Sequence, residues 1–146
     1  IVPSGVDTRV FHPIDAIRKR DLREQYGLDP HKPVALHVGH LQHGRGIRTL
    51  ADLAATGACQ VVLVTSSSTF QDANLERELR AADVIVLTDY LPQIEQLYQL
   101  ADCYVFPVAS TDNAIEAPLS VLEALACDLP VVTTRFGGLP RMFADV

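Results

Sequence analysis

The stretch NAIEAPLSVLEALACDLPVVTT, residues 113–134, predicts a loop, a short helix and a strand in succession. Pro118 suits the first position of the helix, because its missing N–H needs no partner there and its φ angle is already helical. The segment Asp128–Pro130 ends the helix, and Val131–Thr134 follows as a buried strand. Four apolar residues have the spacing of one helix face, which we expect to lie against a core: Leu119, Leu122, Leu125 and Ala126.

The rest of the chain alternates between apolar strands and amphipathic helices. We expect the other helices over Asp15–Tyr26, Gly46–Thr56, Phe70–Ala82, Pro92–Leu100 and Gly137–Phe143. We expect the other strands over Pro33–Gly39, Gln60–Thr65, Val84–Leu87 and Cys103–Phe106. Strands that are apolar throughout and separated by helices are typical of a parallel sheet covered on both faces. With right-handed crossovers, this predicts an α/β fold with a doubly wound, Rossmann-like sheet, whose ligands bind at the carboxyl ends of the strands.

Composition and charge exclude several classes of protein. A net charge of −6 argues against a broad basic face that binds nucleic acid, although it is compatible with a small anionic ligand. The apolar runs are too short to cross a bilayer, and no signal peptide is visible. The cysteines at 59, 103 and 127 are odd in number and widely spaced, which favours reduced thiols of a cytoplasmic protein over a disulfide frame or a metal site.

The helix that follows Pro118 predicts a phosphate site. A helix start after an irregular loop offers N–H groups without intrahelical partners and a partial positive charge. We therefore expect Pro118, Leu119 and Ser120 to lie against the phosphate. Glu123 follows a little more than one turn inside this helix, from where its carboxylate can accept two hydrogen bonds from a vicinal diol such as a ribose. An ordinary solvent-facing glutamate is the alternative at this position.

The loop GHLQHGRG, residues 39–46, resembles a Walker A phosphate loop but lacks two of its groups. Arg45 stands where that motif has lysine, and Gly46 stands where it has the hydroxyl that binds Mg²⁺. The loop is not a G-x-G-x-x-G dinucleotide fingerprint either. A glycine-rich turn, a fixed positive charge and a helix start remain, and together they can hold a diphosphate without a metal. We expect Gly39, His40 and Arg45 to contact it.

Three other features of the sequence have the residue types of a binding site. His37, His40 and His43 would need one helical face to bind zinc, and the loop composition breaks that face, so no metal site is expected. Tyr90 and Leu91 offer an apolar wall for a flat base, or form a surface turn. The glycines of FGGLPR, residues 136–141, allow close approach of a ligand, or form a plain strand-to-helix turn.

Four blocks of the sequence, taken in order, resemble one enzyme family. They are PSGVDTRVFHP (3–13), VGHLQHGRGIRTL (38–50), LADCYVFPV (100–108) and IEAPLSVLEALACDLPVVTTRFGGLP (115–140). The chain is similar over essentially its whole length to the C-terminal, donor-binding domain of a group 1 (family 4) glycosyltransferase of the GT-B fold. The first block resembles the sequence with which that domain begins, and the last resembles the family's E-x7-E motif.

The resemblance implies roles for individual residues. Glu123 matches the second glutamate of the motif, which binds the donor ribose. His40 and Arg45 match the basic pair that binds the donor diphosphate, and Arg45 would stabilise the leaving group as a catalytic residue. The first glutamate, which contacts the transferred sugar, falls on Ile115, so Glu116, one residue later, is the candidate for that second catalytic role.

The resemblance also implies the activity of the whole protein. It would be a retaining, metal-independent hexosyltransferase without a cofactor, which moves a sugar from a UDP- or GDP-linked donor to the hydroxyl of a glycan, a lipid or a small molecule. Residues 1–146 would be its C-terminal nucleotide-sugar-binding domain, inactive without an N-terminal acceptor domain, and the enzyme would lie in the cytoplasm or peripherally at the cytoplasmic face of the membrane. A GT-B nucleotide-sugar epimerase, a phosphorylase and a non-catalytic nucleotide-binding module are the alternatives.

Overall fold

Five parallel strands form one sheet in the computed structural model, which describes residues 5–42, 45–66, 72–109 and 118–143. The strands are β1 (Val34–Val38), β2 (Gln60–Val64), β3 (Val84–Leu87), β4 (Cys103–Phe106) and β5 (Val131–Thr133). Their order is β3-β2-β1-β4-β5, and every neighbouring pair is parallel. The predicted doubly wound sheet is confirmed, and the strand order reverses between β1 and β4.

Helices connect the strands and cover the sheet. They are α1 (Ala16–Gln25), α2 (Arg48–Ala55), α3 (Ala73–Ala81), α4 (Glu95–Leu100), α5 (Leu119–Ala126) and α6 (Leu139–Met142). Asp15 begins α1 by accepting a hydrogen bond from the Arg18 N–H, and Asp72 begins α3 by accepting from Asn74 and Leu75. Each predicted helix is present and is shorter than predicted at one or both ends. The predicted start of the third helix, residues 70–71, lies outside the described residues.

Two apolar layers lie on the two faces of the sheet. One contains Leu36 and Val62, and the other contains Ala35, Val61 and Leu63. Neighbouring residues of a strand point to opposite faces, so these strands are apolar throughout because both of their faces are covered.

The strand β5 departs from the prediction. Val131–Thr134 was expected to be buried, but Val132 is 59% exposed. The reason is the position of β5, which pairs with β4 at the end of the sheet that the described residues form. An end strand is covered less completely than a central one, so the expectation of a buried strand was wrong.

The buried face of α5 also differs from the prediction. Leu119 and Leu125 are 43% and 39% exposed, whereas Val121 and Ala124 are fully buried. The helix contacts α4, β4 and β5, and shorter side chains on the inner face let it lie close to these elements. Pro118 is the N-cap, with an extended ψ of 122°, and not the first helical residue as predicted.

A partly buried cluster of two ion pairs attaches α1 to the sheet at the end opposite the expected ligand site. Asp102 accepts hydrogen bonds from the Val34 N–H at 2.8 Å, from Arg23 at 2.6 Å and from Lys19 at 3.0 Å. Burial raises the pKa of the Asp102 carboxyl, but these bonds outweigh burial and leave the pKa lowered. Arg23 is buried and also donates to the Leu100 carbonyl.

Gly46 brings the loop after β1 against the loop after β4. Its φ angle is +68°, and a Cβ atom there would lie 2.1 Å from the Pro107 carbonyl oxygen. Only glycine has room for this contact. The start of α2 therefore lies against the loop after β4, beside the point where the strand order reverses.

We expect Gly46→Ala to destabilise the protein more than Gly57→Ala does. Gly57 has nearly the same φ of +69° but no atom within 4 Å of the new Cβ, so its replacement costs only the backbone strain. That strain is about 1–2 kcal/mol, and the clash with Pro107 adds about 1–3 kcal/mol. Chemical denaturation measures both free energies of unfolding, and equal losses would contradict the close packing at Gly46.

Candidate functional site

Side chains replace backbone pairing where the strand order reverses. The parallel register of β1 and β4 ends at the Leu36–Tyr104 pair. Beyond it, the His37 Nδ1 donates to the Val105 carbonyl at 2.8 Å. The Tyr104 hydroxyl donates to the Val38 carbonyl at 3.2 Å and lies 3.4 Å from the Val38 N–H. The carboxyl ends of the two strands are therefore joined through side chains. This strand reversal, the crevice between β1 and β4, is where doubly wound sheets bind ligands.

His37 is a buried, neutral histidine under the first glycine of the β1 loop. Burial lowers its pKa to about 4, the bond to Val105 opposes this, and the charge of Arg45 lowers it further. Since the carbonyl fixes the proton on Nδ1, Nε2 carries a lone pair, and it has no hydrogen-bond partner among the described residues. A Cβ on Gly39 would lie 2.8 Å from this Nε2, so the position requires glycine.

An aromatic row, defined as six rings in consecutive contact, runs beneath the crevice. Its ring centroids are 5.6, 5.8, 6.2, 6.2 and 5.5 Å apart. In order, the row contains Phe11, Tyr98, Tyr104, His37, Phe106 and Phe136. The row connects α4, the two central strands and the FGG loop after β5 into one rigid support.

A cleft of about 390 Å³ lies at the carboxyl ends of β1, β2 and β3. It is lined by Val38, Gly39, His40, Val64, Thr65, Ser66, Asp89, Tyr90, Leu91 and Ile94. The loops after β1, β2 and β3 thus meet around one space, and four predicted site residues lie there: Gly39, His40, Tyr90 and Leu91. Tyr90 is 86% exposed at the rim, whereas Thr65 is buried with an Oγ1 that has no hydrogen-bond partner in the described ranges.

The helix α5 carries a second group of predicted site residues. Pro118, Leu119 and Ser120 form its start, and Ser120 forms a hydrogen bond with the Tyr104 hydroxyl. Burial raises the pKa of that hydroxyl, and the bond with Ser120 opposes the rise in part. Glu123 is half-buried, and its Oε2 accepts a hydrogen bond from the Tyr98 hydroxyl at 2.7 Å. Burial raises the pKa of the Glu123 carboxyl, and the Tyr98 bond lowers it in part.

Tyr104 joins the two groups, because its hydroxyl interacts with Ser120 on α5 and with Val38 at the cleft. Arg45 is 7% exposed, and its charge acts on His37 and Tyr104, which places it beside the crevice. Burial lowers the pKa of its guanidinium. Glu116, the predicted second catalytic residue, and His43 lie outside the described residues.

Sequence reasoning missed Tyr98 and Tyr104 and gave His37 no role beyond its place in a strand. The signal was present, since His37 and Tyr104 each put a polar atom into an otherwise apolar strand. Tyr98 puts one beside the apolar residues Leu97 and Leu100 of α4. Buried polar atoms need partners, so a tyrosine at such a position predicts a hydrogen bond across the core. The identity of the partner depends on tertiary packing, which the pattern does not contain.

No cluster of three or more histidine, cysteine or acidic residues suited to a metal ion occurs within the described part of the chain. In the same part, no helix is long and apolar enough to cross a membrane. The three cysteines are free thiols, of which Cys127 is buried and Cys59 and Cys103 are half-buried.

The chain belongs to the group 1 glycosyl transferases, whose family model matches residues 32–145. The fold is that of one Rossmann-like half of a GT-B glycosyltransferase. Over 94% of this chain and 38% of that one, it is similar to the crystal structure of Anabaena HepE in complex with UDP and glucose, with a TM-score of 0.72 and 22% identity.

Curated relatives give the same family. The alpha-maltose-1-phosphate synthase of Mycobacterium tuberculosis is 27% identical over 158 residues, which include 99% of this chain. The D-inositol 3-phosphate glycosyltransferase of an Arthrobacter species is 33% identical over 157 residues, again with 99% of this chain. The chain spans 39% and 36% of the length of these two relatives.

We expect His37 to make the protein lose stability in acid. A folded-state pKa of about 4 against 6.5 for the unfolded chain means that only the unfolded state takes up a proton between these values. This contribution to the free energy of unfolding is complete above pH 6.5 and falls by up to about 3 kcal/mol toward pH 4. His37→Gln, which keeps a donor for Val105, should flatten the pH dependence measured by denaturation.

The exposed His31 offers the control, because its replacement by glutamine should leave the acid loss of stability unchanged. An unchanged slope in His37→Gln would show that His37 is not buried in its neutral form.

Proposed function

We propose that the described chain binds the nucleotide of a sugar donor, and that the full-length protein transfers the sugar to an acceptor hydroxyl with retention of configuration. One observation carries the proposal. Glu123 is a half-buried carboxylate held by a tyrosine, on a helix whose start contacts the crevice between β1 and β4. A cleft of about 390 Å³ lies at the carboxyl ends of β1, β2 and β3 and shares Val38 and Gly39 with the strand reversal. Family membership supports the reaction class.

The cleft suits the base. Its volume of about 390 Å³ falls within the range of small-molecule sites. Leu91 and Ile94 provide an apolar wall, and the exposed ring of Tyr90 lies at the rim. A flat heterocycle can pack against this wall while the backbone groups of the loops bind its polar edge.

The crevice suits the diphosphate. Gly39 puts no side chain above the ends of β1 and β4, so the phosphates can approach the backbone. The first N–H groups of α5, at Leu119 and Ser120, have no acceptor within the helix and lie beside the crevice. His40 at the cleft and Arg45 beside the crevice supply further hydrogen-bond donors.

Two charged residues have proposed roles in the reaction. Arg45 stabilises the negative charge that accumulates on the diphosphate as the sugar leaves, which removes the need for a metal ion. Glu116 contacts the transferred sugar; this role rests on the family motif.

We propose a UDP- or GDP-linked sugar as the donor, with no further cofactor. The likeness to a protein crystallised with UDP and glucose supports a uridine donor. Another domain of the full-length protein would bind the acceptor, a glycan, a lipid or a small molecule, so that this chain alone has no transfer activity. The proposed full-length enzyme lies in the cytoplasm or peripherally at the cytoplasmic face of the membrane.

We expect Arg45→Ala in the full-length protein to weaken the binding of UDP and GDP by about 1.5–3 kcal/mol, the range for hydrogen bonds to charged groups. Isothermal titration calorimetry gives the affinities. Arg48→Ala is the matched control, because Arg48 lies one turn further on, is exposed and pairs with Glu78 at 3.0 Å. Equal affinities in the Arg45 variant and the wild type would exclude Arg45 from the diphosphate site.

We expect Glu123→Ala to remove the preference of the protein for a ribose with both hydroxyls. The wild type should bind UDP or GDP more tightly than the 2′,3′-dideoxy analogue, because each ribose hydroxyl donates to the carboxylate. The variant should bind both ligands with the same, lower affinity, while Glu123→Gln keeps part of the preference through its remaining carbonyl oxygen.

Calorimetry with the two ligands on each protein is the test. A Glu123→Ala variant that discriminates as well as the wild type would show that the ribose is held elsewhere.

A further inference from the structure

The hydroxyl of Tyr98 and the carboxylate of Glu123 form a bond between α4 and α5. The distance from Oη to Oε2 is 2.7 Å, in the range of a short hydrogen bond to a charged acceptor. Tyr98 is fully buried, with the ring of Phe11 at its edge and the ring of Tyr104 stacked on it. Because its neighbours fix the ring, the position of the hydroxyl is fixed as well.

We propose that Tyr98 is a positioning residue, which holds the Glu123 carboxylate in the orientation that accepts the ribose hydroxyls of the donor. The inference rests on the proposed role of Glu123 in ribose binding. Tyr98 does not itself have to touch the nucleotide, since it lies under the surface and acts through the carboxylate.

The bond leaves enough acceptor capacity for the ribose. An ionised carboxylate has about four lone-pair sites on two oxygens, and Tyr98 occupies one of them on Oε2. Oε1 and the second site of Oε2 remain for two hydroxyls. A free glutamate side chain would lose conformational entropy when the nucleotide binds. A side chain that is already held by Tyr98 avoids part of this loss, which raises affinity by preorganisation.

The bond also keeps the carboxylate in its accepting form. Burial raises the pKa of Glu123 and the hydrogen bond from Tyr98 lowers it. The titratable groups that act together with Glu123 are Tyr98 on α4, Tyr104 on β4 and Cys127 after α5. Burial raises the pKa of each of these hydroxyl and thiol groups, that of Cys127 to about 11, so all three are neutral near pH 7. Glu123 is then the member of this group that titrates as the pH falls.

The position of Tyr98 relative to the cleft fits this role. Tyr98 follows Ile94, which lines the cleft, by four residues, so both lie on one side of the segment that leads into α4. Its ring stacks on Tyr104, whose hydroxyl binds the Val38 backbone at the entrance of the crevice. The supports of the ribose ligand and of the diphosphate crevice are therefore adjacent rings of one aromatic row.

Tyr98→Phe in the full-length protein tests the inference, because it removes the hydroxyl and keeps the ring. The affinities for UDP or GDP and for the 2′,3′-dideoxy analogue are measured by calorimetry in the wild-type and Glu123→Ala backgrounds. In the wild-type background, we expect the preference for the ribonucleotide to fall about tenfold, as for the loss of one hydrogen bond to a charged group. In the Glu123→Ala background, the same substitution should leave the preference unchanged.

The pH dependence of ribonucleotide affinity distinguishes a positioning role of Tyr98 from a purely structural one. Ribonucleotide affinity should decline in acid as Glu123 takes up a proton. Without the Tyr98 hydroxyl, the pKa of Glu123 rises, so the decline should begin at a higher pH in Tyr98→Phe than in the wild type. Binding of the dideoxy analogue should lack this step in both proteins.

Tyr26→Phe is the matched control. It also removes a tyrosine hydroxyl that is bonded to a residue of α4, in this case Gln96 at 3.1 Å, but it does not reach Glu123. Its ribose preference and acid midpoint should equal those of the wild type. Its change in melting temperature shows how much stability one such hydroxyl contributes.

Two results would overturn the inference and can be told apart. If Tyr98→Phe retains the wild-type preference and acid midpoint while Glu123→Ala loses the preference, Tyr98 does not position the carboxylate and the ribose role of Glu123 stands. If Glu123→Ala retains the preference, the ribose role fails and the inference fails with it.

If Tyr98→Phe does not fold, the wild type with ¹³Cζ-labelled tyrosine replaces it. One ring resonance should then shift with the protonation of Glu123 and on nucleotide binding, and it should lose the pH response in Glu123→Ala. A spectrum in which no tyrosine responds would overturn the inference.

Discussion

The candidate site depends on the loss of backbone pairing between β1 and β4 after Leu36 and Tyr104. In a parallel sheet, each further pair would close the gap between the strands and leave no room for a ligand. Here the Val105 carbonyl accepts a hydrogen bond from His37. The Tyr104 hydroxyl donates to the Val38 carbonyl and accepts from the Val38 N–H. The backbone groups of Val105 and Val38 are therefore paired, so the strands can separate here without the cost of leaving these buried groups unpaired.

The same side chains that open the crevice also position what surrounds it. Tyr104 interacts with the start of α5 through Ser120, and the neighbouring Tyr98 binds Glu123 on the same helix. The Nε2 of His37 lies 2.8 Å from the position that a Cβ on Gly39 would take, so the aromatic row also determines which residue can begin the loop above it. Side chains that are held by packed rings are already oriented before a ligand binds, which limits the entropic cost of association.

The sequence predicted the parallel sheet because the spacing of apolar residues along the chain is a local signal. It also predicted loops at the carboxyl ends of the strands, because those loops directly follow the apolar runs; ligand binding by these loops stays a prediction. It did not predict which face of α5 is buried, because Val121 and Ala124 are apolar like Leu122 and Leu125. The packing of α5 against α4, β4 and β5 decides which of these residues face the core. It also missed the bond from Tyr98 to Glu123, which joins residues 25 positions apart. Such long-range polar pairs depend on how the elements pack, and a single sequence contains no spacing rule for them.

A crystal structure of the full-length protein with UDP or GDP is the most direct test of the nucleotide site. We expect both ribose hydroxyls at about 2.5–3.0 Å from the carboxylate oxygens of Glu123, with the Tyr98 bond still in place. The diphosphate should lie between Gly39 and the start of α5, and the base should occupy the cleft beside Leu91. A nucleotide bound at another edge of the sheet, or a Glu123 that contacts only Tyr98 while the ribose is held by other residues, would contradict the proposed site.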